Sequence, residues 1–527
     1  LMEKYFSRFY PQLGIGRDEF LSLARQDTHG GSPLFSLSVL ALRLSRQANG
    51  VSKLHGAVSR GMWKDLWPGV PTEEVPITHI TNGVHTETWI SPELRPLLEK
   101  YLGSNWREEL ANLEAFKAID KIPDAELWAV RQELKRQMVA FVRKRVRAQR
   151  IRSGESVAKV NEADTLLNPE ALTIGFARRF ATYKRATLIF RDAARLQRIL
   201  HQQGKEVQLI FAGKAHPADM PGKEFIQKVY QLSRQEGFTG SVVFIEDYDM
   251  NVARHLVHGC DVWLNNPRRP LEASGTSGQK AAANGCLNFS VLDGWWCEGY
   301  NGVNGWAIGE EREFQNLDEQ DDADVHSLYH ALENEIVPLF YDRGADGVPH
   351  EWLKRVKNAI ATLTPMYSTH RMVQDYTNQL YIPAIEHGER LAADNYAVAK
   401  QFAEWKGMMN FNWHHVFVEA LPPMQDKVSV GQAIDIVAKV KTGGLSPKNL
   451  HVEIYQGREN GRNGNGDHLR DVQVVPMQMA EQLPDGSFTF KGAIQPHKGG
   501  SYIYGVRVLP NHPDLKNPHE LGLIRWA

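Results

Sequence analysis

Cysteine is scarce: Cys260, Cys286 and Cys297 are the only three in 527 residues. Their spacing suits neither a disulfide framework nor a zinc, haem or iron–sulfur site, and so few thiols fit a reducing compartment. Long apolar runs are also missing. No stretch reaches the ~18–20 residues that span a bilayer, and the first thirty residues have no basic segment followed by an apolar one. The chain is therefore read as cytoplasmic, with no membrane partner. Charge of one sign is absent as well: 61 Lys and Arg against 62 Asp and Glu leave a net charge of −1. A dedicated nucleic-acid binder needs a basic face, so that class is excluded. The remainder, 42% hydrophobic and 23% charged, is an ordinary globular composition, and the length holds about three domains of ~100–200 residues each.

The chain opens Leu1-Met2-Glu3-Lys4, without an initiator methionine in first place, as expected of a fragment. Phe35, Val39 and Leu42 fall at helical spacing, and Asn49-Gly50-Val51-Ser52 breaks the pattern. A second glycine turn follows at Thr81-Asn82-Gly83-Val84-His85. Residues 124–152 read as one long helix that buries Ala125, Leu127, Trp128, Leu134, Met138 and Phe141. Its basic stretch Arg143-Lys144-Arg145-Val146-Arg147 reads as a solvated face.

From about 172 to 308 short β-branched runs alternate with amphipathic helices, the mark of βαβ units around a parallel sheet. Strands are expected at 172–176, 207–212, 241–245, 262–264 and 288–292, with helices at 185–200, 223–235 and 251–257 between them. Further helices are expected at 325–341, 351–363 and 372–402. Beyond 409 the period becomes two: Ile434, Ile436, Ala438 and Val440, then Phe488 and Phe490, then Tyr502, Tyr504, Val506 and Val508 alternate with other residues. A polar loop at 458–468 and turns at Thr442-Gly443-Gly444 and Leu483-Pro484-Asp485-Gly486 separate them. This portion is expected to be a small antiparallel sandwich. The domains drawn are 1–122, 123–409 and 410–527.

Ligands of an open parallel sheet collect at the carboxyl ends of its strands, and three motifs lie there. The first is Gly175-Phe176-Ala177-Arg178-Arg179-Phe180-Ala181-Thr182-Tyr183-Lys184-Arg185, four cations where a strand is expected to hand over to a helix. Arg gives a bidentate fork and Lys a point charge, so one or two phosphates are the natural occupants; a solvated basic helix start is the alternative. The second is Glu272-Ala273-Ser274-Gly275-Thr276-Ser277-Gly278-Gln279-Lys280. Its small residues and hydroxyls can cradle a phosphate, and Lys280, one turn into the next helix, can form a Schiff base with an aldehyde cofactor. The lysine is not followed by Ser or Thr, so the run is not a Walker loop. The third, Leu292-Asp293-Gly294-Trp295-Trp296-Cys297-Glu298-Gly299-Tyr300, offers aromatic rings that either stack on sugars or pack in the core. Asp247 and Tyr248 sit at another strand end, where either can cap the following helix.

Together these runs resemble the α-glucan (glycogen, starch or maltodextrin) phosphorylases, pyridoxal-phosphate-dependent glycosyltransferases of the two-Rossmann-domain (GT-B) type. The match runs from about 36 to 370 and rests on Asn49-Gly50-Val51-Ser52-Lys53-Leu54-His55, Thr81 to His85, Arg178 to Arg185, Glu246-Asp247-Tyr248, Glu272 to Lys280, Asn284-Gly285 and Leu292-Asp293-Gly294. The resemblance implies Lys280 as the Schiff-base lysine, with Gly275, Thr276, Ser277, Arg178 and Tyr248 around pyridoxal 5′-phosphate. It implies Arg179 and Lys184 for the substrate phosphate, and Glu272 with Ala273, Ser274 and Gly275 for the terminal glucose; Arg179, Lys184, Lys280 and Glu272 form the catalytic set. In this family the cofactor's phosphate exchanges a proton with orthophosphate, which protonates the glycosidic oxygen and then captures the glucosyl carbon with retention.

The implied partners are an α-1,4-glucan and inorganic phosphate, the product is glucose 1-phosphate, no metal is involved, and a homo-oligomer is allowed. Ala181-Thr182 and Ser277-Gly278-Gln279 stand where the animal and plant enzymes have His-Glu and Gly-Asn-Met, a pattern closer to the shorter bacterial and archaeal branch. Most of the family's amino-terminal Rossmann domain is expected to be missing, residues 1–122 being its last part. The alternatives are a nucleotide-sugar glucosyltransferase resembling glycogen synthase, which shares the fold and basic pocket without a cofactor lysine, and a non-catalytic glucan-binding protein.

Overall fold

The computed structural model describes residues 2–26, 34–425, 427–459 and 469–527. Most of the polar loop expected at 458–468, namely 460–468, lies outside the described residues. The fold is mixed α/β in two compact units, one comprising Gly50–Gly56 and His79–Asn378, the other Leu1–Asn49, Ala57–Thr78 and Gln379–Ala527. The units cut across the boundaries drawn from the sequence. Ile90, Leu98, Trp106 and Ile119 bury themselves with the parallel sheet, and Phe402, Trp405 and Met409 with the terminal strands. No helix among the described residues is long and apolar enough to cross a membrane.

The first unit is built on a long helix, α1 (Asp124–Arg152), and six parallel strands. These are β1 (Leu172–Ala177), β2 (Val207–Ala212), β3 (Val242–Ile245), β4 (Val262–Asn265), β5 (Leu287–Val291) and β6 (Gly305–Ile308). Nearly every strand residue is buried, as expected of a parallel sheet covered on both faces. The spatial order is β6-β5-β4-β1-β2-β3, so the order reverses between β1 and β4. In doubly wound sheets that reversal leaves a crevice beyond the carboxyl ends of the two central strands. Helices α2 (Ala193–Leu200), α3 (Met220–Ser233), α4 (Met250–Gly259) and α5 (Ser277–Ala282) alternate with the strands. The expected helix at 185–200 is corrected: its first half holds only the short turn Leu188–Phe190, and α2 starts after Asp192, whose side chain accepts the Arg195 amide.

Acidic residues in its first turn and Arg150 and Arg152 in its last complement the dipole of α1. Leu127, Trp128, Leu134, Met138, Val142 and Val146 are buried, whereas Ala125 faces solvent and Phe141 is half-buried, its ring 3.9 Å from that of His255. The basic stretch is not a solvated face. Arg143 donates to the carbonyls of Leu166 (2.7 Å) and Leu167 (2.8 Å), Arg145 to those of Glu246 and Asp247, and Arg147 pairs with Asp164. Deeper in, Arg131 donates to the carbonyls of Asn284, His258 and Cys260. Lys135 pairs with Asp261 at 2.6 Å, both side chains at most 3% exposed. Asp261 also accepts the Thr173 amide, so this pair joins α1 to the start of β1 and β4.

The second unit contains two four-stranded antiparallel sheets. One has the order β7-β8-β12-β11, with β7 (Phe417–Ala420), β8 (Ile434–Lys441), β11 (Gln478–Gln482) and β12 (Phe488–Ile494). The other has the order β10-β9-β13-β14, with β9 (Leu450–Glu459), β10 (Leu469–Pro476), β13 (Tyr502–Pro510) and β14 (Arg525–Trp526). Ile436, Ala438, Val440 and Phe490 of the first share a core with Val452, Ile454, Val506 and Val508 of the second. Strand β9 escapes a period-two search because most of its residues are buried on both faces, Glu453 and Gln456 among them.

Glu453 and Glu74 both pair with Arg507, which is 1% exposed and lies over the rings of Tyr455 and Trp526. Burial alone would raise the Glu74 carboxyl, but hydrogen bonds from His519 and Arg507 outweigh it and bring it down to about 2.

Breaking a buried pair costs about 3–5 kcal/mol, since the surviving charge stays uncompensated. Lys135→Met is expected to lower the free energy of urea unfolding by that amount, and adding Asp261→Asn to recover at least half. The Glu74 carboxyl, held below its ordinary value, contributes stability above pH 4.5 that is lost as pH falls towards about 2. Glu74→Gln should destabilise by on the order of 3 kcal/mol at pH 7, the deficit vanishing near pH 2 in urea titrations.

Candidate active site

The strands on either side of the order reversal deliver the first two site residues. Strand β1 ends at Ala177 and passes directly to Arg178; β4 ends at Asn265 and the loop beyond it carries Glu272. Arg178 Nη2 donates to Glu272 Oε2, and Lys184 Nζ lies 3.1 Å from the same oxygen. Arg178 and Lys184 are 9% and 8% exposed, while Arg179 faces solvent. Three of the four cations at this turn therefore gather around Glu272 or face solvent. Arg185 does not: its guanidinium is buried against Asp324 (2.6 Å), Asp321 (2.8 Å) and the carbonyls of Asn266 and Pro267. Nor does an α-helix begin there, only the short turn Thr182–Lys184, so the anion-binding argument from a helix end does not apply.

Burial and the neighbouring charge of Arg178 push the Lys184 ammonium down, Glu272 pulls it back, and it comes to about 8. Burial and the Glu272 charge raise the Tyr183 phenol, while the charges of Arg178 and Arg179 oppose them. The half-buried Tyr248 phenol is raised by burial and opposed by the charge of Arg178, which places it in the same electrostatic neighbourhood. Asp249, not Asp247 or Tyr248, caps α4 by accepting the Val252 amide at 2.8 Å. Arg178 keeps Nε and Nη1 buried without an acceptor among the described residues.

After Glu272 the chain turns through Gly275, at φ +72°, into α5. The amides of Ala273, Ser274, Gly275 and Thr276 find no acceptor among the described residues. The Ser277 hydroxyl donates to Asn265 Oδ1 at 3.3 Å. Lys280, on the first turn of α5, is half-buried, with its ammonium 4.1 Å from the centre of the Trp89 ring. It has no carboxylate within ion-pair distance among the described residues, and burial lowers its pKa. Trp89 is pinned through its carbonyl by Asn284 Nδ2 (2.7 Å) and His258 Nε2 (2.9 Å).

Sequence reasoning missed the braces behind this loop. Ser52, fully buried, donates to the Ala273 carbonyl at 2.6 Å. Glu298 accepts the Thr81 hydroxyl (2.8 Å) and the Lys53 amide (2.9 Å), and Gln279 donates to the Asn82 carbonyl (3.0 Å). Asp293 accepts the Glu272 amide at 2.9 Å. The motifs around Asn49 and Thr81 thus serve as supports; their only signal in the sequence was their place in the family pattern. Trp295 and Trp296 are 3% and 0% exposed, so they are core residues and not sugar-stacking surfaces.

A family model described as carbohydrate phosphorylase matches residues 28–308, and one described as the glycogen phosphorylase C-terminal domain matches 413–527. The chain belongs to the carbohydrate phosphorylase family. It is 39% identical to a maltodextrin phosphorylase of Thermococcus litoralis over 100% of this chain and 60% of that protein. It is 37% identical to a glycogen phosphorylase of Mycobacterium tuberculosis over 99% of this chain and 59% of that protein. To a glycogen phosphorylase of Aquifex aeolicus it is 43% identical, over 66% of this chain and 49% of that protein. The chain thus spans about 60% of the length of the first two relatives.

An NMR titration of ¹³C-methylated lysines is expected to show the Lys184 amine losing its proton near pH 8. Because Glu272 raises that value, Glu272→Gln should move the transition to lower pH.

Proposed function

We propose that this chain is the cofactor- and phosphate-binding part of an α-1,4-glucan phosphorylase of the two-Rossmann-domain (GT-B) type. It moves glucose from the non-reducing ends of glycogen or maltodextrin to orthophosphate, giving glucose 1-phosphate with retention. The observation that carries this reading is the Arg178–Glu272–Lys184 cluster joined directly to a run of amides without acceptors and, one helical turn on, to a lysine without a carboxylate partner, both among the described residues. Residues 123–409 supply the catalytic side, 1–122 belong to the glucan side, and 410–527 are an appendage.

The residues fit pyridoxal 5′-phosphate. An amine that captures an aldehyde is favoured by freedom from ion pairing and by a lowered pKa; Lys280 has no carboxylate partner among the described residues, and burial lowers it. A phosphate needs clustered donors, which the amides of Gly275 and Thr276 and the two buried nitrogens of Arg178, without an acceptor among the described residues, provide. Lys280 would hold the cofactor's aldehyde end, Gly275, Thr276, Ser277 and Arg178 its phosphate, and Tyr248 a further edge. When bound, the group supplies an acid–base phosphate beside the incoming orthophosphate.

The chain's own residues make that encounter of two anions tolerable. Repulsion between phosphates is severe in a half-buried crevice unless cations neutralise it. Arg179, at the open rim, receives orthophosphate first, and Lys184, still charged at neutral pH with a pKa of about 8, holds it inside. Glu272 accepts hydroxyl hydrogens of the terminal glucose while the backbone of Ala273, Ser274 and Gly275 supplies donors. Ser52 and Asp293 keep that backbone from shifting.

Borohydride treatment of the full-length protein, followed by mass spectrometry, should find a pyridoxyl adduct on the Lys280 peptide, absent from Lys280→Ala. Arg179→Ala and Lys184→Ala should each cut phosphate-dependent release of glucose 1-phosphate by roughly 10²–10³-fold with the cofactor absorbance retained. Turnover only with a nucleotide sugar would make the protein a glucosyltransferase instead.

A further inference from the structure

We propose that Asp293 is a positioning residue for Glu272, fixing the height at which the Glu272 carboxylate enters the site. The proposal rests on the reading above, in which Glu272 binds the terminal glucose. Asp293 is 3% exposed, and each of its oxygens has one partner: Oδ2 accepts the Glu272 amide at 2.9 Å and Oδ1 the Gly294 amide at 2.8 Å. Two residues further along each segment of this contact, the Trp295 amide donates to the Ser274 carbonyl at 2.9 Å. The turn 293–295 is therefore zipped onto 272–274. Gly294 makes the fit possible, since at φ +55° a Cβ would lie 2.2 Å from the Ser274 carbonyl oxygen.

A carboxylate suits this place because it offers two acceptors to two amides; an asparagine would turn a donor towards one of them. The charged and titratable groups facing it are Glu272 and Arg269 from the preceding loop and Cys297 from its own turn. Arg269 hydrogen-bonds to the Leu292 carbonyl and to Cys297 Sγ, not to Asp293, so the brace is held by peptide amides without a direct ion pair. Burial is the main influence that brings the Asp293 carboxyl up to about 7; the two amides oppose it, and the charge of Glu272 adds to it. Protonation removes an acceptor and loosens the brace, so the positioning weakens as pH falls below neutrality.

The test compares full-length wild type, Asp293→Asn and Glu272→Gln. Asp293→Asn should keep the cofactor absorbance and its KM for phosphate within about twofold, while kcat/KM for the glucan falls ~10–100-fold, the usual cost of a misplaced contact. The wild-type KM for glucan should rise as pH drops through about 7. If Glu272→Gln weakens glucan use but Asp293→Asn leaves it unchanged, the positioning role is overturned. If Glu272→Gln itself changes nothing, the assignment of Glu272 to glucose has failed instead. Should Asp293→Asn not fold, Asp293→Ser takes its place, and an unchanged kcat/KM for glucan in that variant overturns the proposal.

Discussion

One carboxylate, that of Glu272, holds the candidate site together by satisfying Arg178 and Lys184 at once. Two cations at most 9% exposed, brought this close, repel each other, and burial makes that repulsion strong. A shared anion is what lets them remain charged. Under the proposed function, an incoming phosphate would compete with Glu272 for the same two cations. The placement follows from topology: Arg178 leaves β1 and Glu272 follows β4, the two strands that flank the reversal of sheet order.

Elsewhere the same chemistry serves a different end. Arg131, Arg143, Arg145 and Arg185 send their guanidinium groups to main-chain carbonyls, tying down loops that would otherwise leave those groups to water. Arginine does this better than lysine because its planar fork reaches two acceptors at a time. Glu298, Ser52 and Gln279 do related work from the other side, where their hydrogen bonds reach the motifs around Asn49 and Thr81 and the carbonyl of Ala273. In the second unit, Arg507 binds Glu74 and Glu453 beneath two aromatic rings, so a charged cluster occupies space that aliphatic side chains would fill in a simpler sandwich.

Much of this was legible in the sequence. The five β-branched runs, the 29-residue helix and the period-two stretches around Ile436 and Val506 map onto real elements, because burial on one or both faces dictates hydrophobic spacing. Strand β6 went unseen: Gly305–Ile308 is four residues long and begins with glycine. The order of the strands, and therefore the meeting of Arg178 with Glu272, is a property of topology that periodicity does not encode. Individual residues deceived for a clear reason. Charge alone does not tell a cation aimed at a ligand from one aimed at a carbonyl, which is why Arg185 read like Lys184 and the run at 143–147 read like a wet surface. Tryptophans beside a glycine turn likewise look the same whether they face a sugar or the core.

Helix α1 is 29 residues long, roughly 44 Å of unbroken rod at ~1.5 Å per residue. It grips the base of the sheet through Lys135, and toward its other end the loop before Tyr248 through Arg145. A rod anchored at both places sets the spacing between them, and Gln149, near the same end as Arg145, also holds the Phe244 carbonyl of β3 and the Glu246 amide. The loop that leads to Tyr248 is therefore fixed in place from the helix side as well as by the strand it follows.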